Sequence, residues 1–153
     1  MLDVSSEHKV VISNLLSLHT NNQLPHAVLI TSVSGVGLAS VASSLCATLL
    51  CERDNDSPCG ECGSCSLVSA GTHGDYRWLD AAEGKASIGV DQIREAGDFV
   101  TKTAGYGAQK ILVISDAEKM TASASNALLK TLEEPQGNSL LLLLSQRPWL
   151  LPA

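Results

Sequence analysis

The chain has 153 residues, of which 44 % are hydrophobic and only 3 % aromatic, and it carries a formal net charge of −6. That length and apolar fraction suit one globular domain with a core of Leu, Val, Ile and Ala and exclude a disordered chain, while the acidic balance and lack of a basic stripe argue against free-standing nucleic-acid binding, which relies on clustered Lys and Arg. Glu7, His8 and Lys9 stand where a signal peptide needs its apolar run, and the longest wholly apolar stretch, Leu140 to Leu144, is far too short to span a bilayer, so a cytoplasmic protein with no membrane association is expected.

Ser6 can cap a first helix in which Val11, Leu15 and Leu18 fall at i, i+4 and i+7, Val10 and Ile12 widen the stripe, and Asn21 and Asn22 stop it. Ala27 to Thr31 reads as a buried strand running through a glycine turn into a helix, where Val41, Leu45, Cys46 and Leu49 lie on neighbouring faces up to Cys51. A polar loop follows, then a short helix that begins near Cys62 or Cys65 and ends at Gly71, and a second strand from Tyr76 to Leu79. Beyond a connector from Gly84 to Gly89, the positions Val90, Ile93, Gly97 and Val100 predict an amphipathic helix weakened by Gly97 and Gly105. Ile111 to Ile114 is an apolar strand. Thr121 can cap the next helix, whose residues Ala124, Ala127, Leu128 and Leu132 share a face before Pro135 ends it; Leu140 to Leu144 is the last strand. Strands alternating with helices at this spacing predict an α/β fold: a largely parallel sheet covered by helices on both faces, without internal repeats.

The turn after the first strand is the frame of a phosphate-binding loop with its charged contacts missing. Where the pattern G-x-x-x-x-G-K-[ST] calls for Gly, Lys and Ser/Thr, the chain has Ser32, Leu38 and Ala39, keeping Gly35 and Gly37. In a working loop the backbone amides cradle phosphate, the lysine neutralises the terminal groups and the hydroxyl holds Mg²⁺. Only the amides remain, so ATP is not expected to be hydrolysed. The second half of such a site is altered too. A hydrolytic P-loop protein ends a later apolar strand in Asp-Glu, whereas Ser115-Asp116 follows Ile114 here: a neutral hydroxyl at the magnesium position and a shorter acid at the base position. An ordinary strand-to-helix turn with a capping acid is the other reading of Ser115-Asp116-Ala117. The two losses agree with each other.

Four of the five cysteines follow the spacing Cys51-x7-Cys59-x2-Cys62-x2-Cys65, on a loop with Gly60 and Gly63. Such a set suits structural Zn²⁺, which favours tetrahedral sulfur ligands and can fold a loop too polar to organise itself. Disulfides are less suited to a reducing compartment, and an iron–sulfur cluster is the remaining alternative. Cys46, inside a helix, reads as a small buried hydrophobe. No histidine pairs with it in sequence, and His26 and His73 read as structural.

The run Asn126-Ala127-Leu128-Leu129-Lys130-Thr131-Leu132-Glu133-Glu134-Pro135 resembles the signature helix of bacterial clamp-loader subunits in the AAA+ superfamily. Ala70-Gly71-Thr72-His73-Gly74-Asp75-Tyr76, Gly89-Val90-Asp91-Gln92-Ile93-Arg94 and His26-Ala27-Val28-Leu29-Ile30 are similar to the delta-prime branch of that family, from DNA polymerase III. The resemblance covers essentially the whole chain and implies a three-layer P-loop NTPase core over residues 1–153 with a zinc-binding loop at 51–65. It implies a non-catalytic subunit of a polymerase holoenzyme, with gamma/tau and delta subunits as partners and the sliding clamp and primer–template DNA as indirect ones. It further implies a domain truncated before its last strand, so that the edge of residues 27–31 is left open to self-association, and before a Ser-Arg-Cys arginine motif, a lid and a collar. Two other readings stay open: an active ATPase of the gamma/tau type with an atypical loop, and a zinc-stabilised interaction module unconnected with replication.

Glu133 and Glu134 sit at the negative end of their helix, which costs a few tenths to about 1 kcal/mol when exposed. An interface with another subunit explains them better than a solvated acidic end offset by Lys130. Trp149, beside Pro148, reads as either a core anchor or an exposed contact.

Overall fold

The computed structural model describes residues 6–21, 23–31, 37–53, 58–81, 84–101, 109–133 and 139–151. In chain order these form α1 (Ser6–Thr20), β1 (Ala27–Thr31), α2 (Leu38–Leu50), α3 (Gly63–Ala70), β2 (Tyr76–Leu79), α4 (Val90–Thr101), β3 (Lys110–Ile114), α5 (Ala122–Glu133) and β4 (Ser139–Ser145), with 3-10 turns at Ala117–Lys119 and Pro148–Leu150. The side chains of Ser6 and Leu132, and residues Ser32, Gly35, Gly105, Glu134 and Pro135, lie outside what is described.

The strands pair in parallel in the order β1-β4-β3-β2. All five residues of β3 are buried, which a strand attains only when both faces of its sheet are covered. Side chains alternate between the two covers. Ile111 and Val113 join Leu140, Leu142 and Leu144 against α1 and α2, whereas Leu112 and Ile114 join Leu141 against α4 and α5. This is the expected three-layer α/β architecture. Burying a Leu or Ile fully contributes about 1.5–3 kcal/mol, so β3 and β4 anchor the sheet, while edge strand β1 leaves Leu29 45 % exposed.

Local chemistry sets the helix ends. Gly37 precedes α2 with φ 86°, a left-handed conformation that costs a glycine little. Gly71 ends α3 at φ 76°; its N–H bonds to Val68 O and that of Thr72 to Leu67 O, the paired bonds of a Schellman motif. Thr121 Oγ1 accepts from Ala124 N at 3.1 Å and caps α5 as expected. Gly97 does not interrupt α4; a Cβ there would meet Thr131 Oγ1 of α5 at 3.4 Å, an ordinary contact.

The phase of α1 differs from the sequence reading. Ile12 is buried and Leu15 and Leu16 pack partly against the core, while Val10, Val11 and Leu18 are exposed. α1 carries two adjacent apolar lines, and only the i, i+3, i+4 line of 12, 15 and 16 meets the core beside α2.

Candidate functional site

The structure brings all four loop cysteines together. Cys51 follows the last residue of α2, Cys62 is the N-cap of α3, Cys65 lies in its first turn, and Cys59 sits on the preceding loop. Their sulfurs all lie within 4.8 Å of one another. Cys51 and Cys62 Sγ are 3.9 Å apart, Cys59 and Cys65 Sγ 3.8 Å, and none forms a disulfide. A tetrahedral ion with Zn–S bonds of about 2.3 Å has S···S edges of about 3.8 Å. The donor set therefore fits one central metal ion.

Backbone amides prepare part of this set. Glu61 N and Cys62 N lie 3.4 and 3.3 Å from Cys59 Sγ, and Cys65 N lies 3.4 Å from Cys62 Sγ. The amides of Glu61 and Cys62 bring the Cys59 thiol down to about 6, and those of Glu52 and Cys65 lower Cys62. Burial pushes Cys65 up to about 12, so a thiolate there needs a cation's charge. Cys46, fully buried in α2, is likewise pushed up by burial, in keeping with a packing role.

A second locus lies at the carboxyl ends of the strands, where ligands of parallel α/β sheets bind. Of the sequence-predicted loop residues, Gly37, Leu38 and Ala39 are described. Leu38 turns inward and is 8 % exposed within the α1–α2 core. Ser115 N donates to Leu79 O, and Asp116 adopts φ 54° with its Oδ2 3.4 Å from Lys119 Nζ. Sequence reasoning missed a neighbouring pair: Ser145 Oγ, at the buried end of β4, donates to Glu118 Oε2 at 2.8 Å. A strand ending in a hydroxyl after five leucines was the available signal.

The family model described as DNA polymerase III, delta subunit, matches residues 7–152. Over 127 residues the chain is 44 % identical to the DNA polymerase III subunit delta′ of Pseudomonas aeruginosa, covering 82 % of this chain and 39 % of that protein. The chain belongs to the DNA polymerase III delta-prime family. The delta-prime subunit of Escherichia coli is 39 % identical over 124 residues, 80 % of this chain and 37 % of the relative. The tau subunit of Bacillus subtilis is 31 % identical over 150 residues, 97 % of this chain and 26 % of the relative. A crystal structure of a DNA polymerase III gamma subunit-related protein from Thermotoga maritima superposes with a TM-score of 0.59 at 22 % identity, over 90 % of this chain and 41 % of that one, and shows the shared fold. This delta-prime family member spans about two fifths of the length of the delta-prime relatives just described. Among the described residues, no helix is long and apolar enough to cross a membrane.

Proposed function

We propose that this chain serves the DNA polymerase III clamp loader as a non-hydrolysing subunit, helping to load the sliding clamp onto primed DNA. The observation that carries this reading is the burial of Leu38 where a phosphate-binding lysine would have to reach out. The Lys119 ammonium beside Asp116 adds to it, because the acid at the base position is already partnered. In this reading residues 1–153 are an AAA+ domain kept for its shape, Ser32, Gly35, Gly37, Leu38 and Ala39 bind no hydrolysable nucleotide, and Ser115-Asp116 has lost its metal role. Its partners are gamma/tau and delta subunits, with the clamp and primer–template DNA reached through them, in the cytoplasm.

The test is Mg²⁺-dependent ATP turnover by the purified chain, alongside pull-down with gamma-type subunits. No turnover with retained binding is expected. Phosphate release abolished by Asp116→Asn would select an active ATPase instead, and no binding to gamma-type subunits would favour an interaction module outside replication.

We further assign the ion of the 51–65 loop to zinc, held by Cys51, Cys59, Cys62 and Cys65 in a structural role. The all-sulfur set, its two-residue spacings and sulfurs too close together to enclose a multi-iron cluster support this. Elemental analysis is expected to give one zinc per chain; iron with visible absorbance would overturn the assignment.

A further inference from the structure

A buried polar chain runs from the cysteine cluster into the sheet. Its first member is Ser64, between Cys62 and Cys65 in the opening turn of α3 and 1 % exposed. Ser64 Oγ lies 3.3 Å from Nε2 of His73, itself 3 % exposed. The other ring nitrogen, Nδ1, faces Asp75 N at 3.0 Å. A backbone N–H only donates, so Nδ1 accepts, Nε2 carries the proton, and the imidazole donates to the serine. His73 O in turn accepts from Tyr76 N, the first residue of β2. Next along, Asp75 pairs with Lys110 of β3 at 3.6 Å, and Asp75 O accepts from Ile111 N. The histidine of the segment Ala70 to Tyr76 thus joins two parts of the chain: the turn that sets Cys62 and Cys65, and the edge of the sheet.

Among the described residues, no buried side-chain hydrogen bond of this kind reaches the four sulfurs themselves. Cys51, Cys59 and Cys62 are only half-buried, and the hydrogen bonds onto sulfur come from amides of the same loop and the adjoining first turn of α3. Fixing that turn therefore fixes two of the four sulfurs relative to Cys51 at the end of α2.

We propose that His73 is a positioning residue for the cysteine cluster: by donating to Ser64 Oγ it locks the first turn of α3 against the sheet and presents Cys62 and Cys65 at tetrahedral spacing. The proposal rests on the reading of the cluster as a metal site. It gives the buried histidine a role neither in catalysis nor in ligation, one bond further from the sulfurs than the partners that hydrogen-bond metal ligands directly.

The test uses the reduced 153-residue chain and Co²⁺ as probe, whose thiolate-to-metal and d–d bands report a tetrahedral sulfur site, with affinity measured against a competing chelator. Ser64→Ala and His73→Leu are expected to weaken Co²⁺ binding roughly 10–100-fold. His73→Gln, whose amide N–H can replace the Nε2 donor, is expected to recover most of that loss. Unchanged affinity and spectrum in Ser64→Ala, which removes one oxygen and leaves the fold standing, would overturn the proposal. So would a loss of metal-free stability in His73→Leu with affinity intact, the mark of a purely structural histidine. If the unsubstituted chain binds no Co²⁺, the metal reading itself fails, and the proposal with it.

Discussion

Lys110 Nζ lies 3.6 Å from Asp75 Oδ1, with the two side chains only 8 % and 2 % exposed, so an ammonium and a carboxylate face each other inside the domain. Lys110 Nζ also stands 4.4 Å above the centre of the Phe99 ring and 3.4 Å from Gly74 O. A buried pair adds little net stability over apolar replacements, yet removing one partner takes the compensating charge away from the other. Lys110→Met, which keeps an apolar stem over Phe99, is expected to cost roughly 3–5 kcal/mol in urea unfolding. The double variant Lys110→Met/Asp75→Leu should cost clearly less than the two single changes added together. Strict additivity would show that the pair is not coupled.

Burial holds His73 below the ordinary imidazole value of 6.5, outweighing the opposite pull of Asp75 and Glu52. Well above 6.5 the imidazole is neutral in both folded and unfolded chains and pH has no leverage through it. As pH falls below that value, the unfolded chain takes up the proton more readily and stability declines until the folded-state value is passed. The urea midpoint, measured in chelator so that metal loss contributes nothing, is therefore expected to fall between neutral and mildly acidic pH. In His73→Gln that part of the slope should vanish; an identical slope in both proteins would assign the acid sensitivity to other groups.

Metal removal has a calculable effect. At free metal about 100-fold above Kd a bound ion stabilises the folded state by about 2.7 kcal/mol. For a chain of this size, at about 2–4 °C per kcal/mol, chelation should lower Tm by roughly 5–10 °C. Cys59→Ser, which removes the sulfur most disposed to ionise, is expected to abolish the difference between the metal-loaded and chelated scans. A chelator-sensitive Tm that persists in Cys59→Ser would move the site elsewhere.

β1 offers an open hydrogen-bonding edge. Leu141 N bonds to His26 O and Ala27 is in register with Leu141, so the peptide groups of Ala27, Leu29 and Thr31 point away from β4. No described strand pairs there, and no charge or proline interrupts the five residues. Uncovered apolar edges template pairing between chains. Sedimentation velocity over a concentration series is expected to show association of the 153-residue chain, relieved by Leu29→Lys. A single monomer peak at the highest concentration would sink this expectation.

How far the sequence could be read depended on the distance over which each feature is decided. β3 and β4 are continuous apolar runs because both faces of the sheet are covered, and the cysteines announced themselves by short spacings on one loop. α1 was misphased because Val11-Leu15-Leu18 and Ile12-Leu15-Leu16 are equally good local stripes, and only α2 and the sheet decide between them. Nothing local pairs Asp75 with Lys110 or Glu118 with Ser145; the parallel register, Tyr76 beside Ile111 and Ile114 beside Leu143, carries these groups together, while Ser64 meets His73 through the turn that ends α3 at Gly71. That Leu38, after the glycine turn, packs into the core was not legible from the letters.

Among the described strands, the sheet order seats the first beside the last. On the ribosome β1 can find its neighbour only after β4 has emerged, a wait on the order of ten seconds at synthesis rates of about 5–20 residues per second. Throughout that interval Ala27–Thr31 is an unpaired apolar segment, whereas the four cysteines, whose parts are close in the chain, can come together while translation continues.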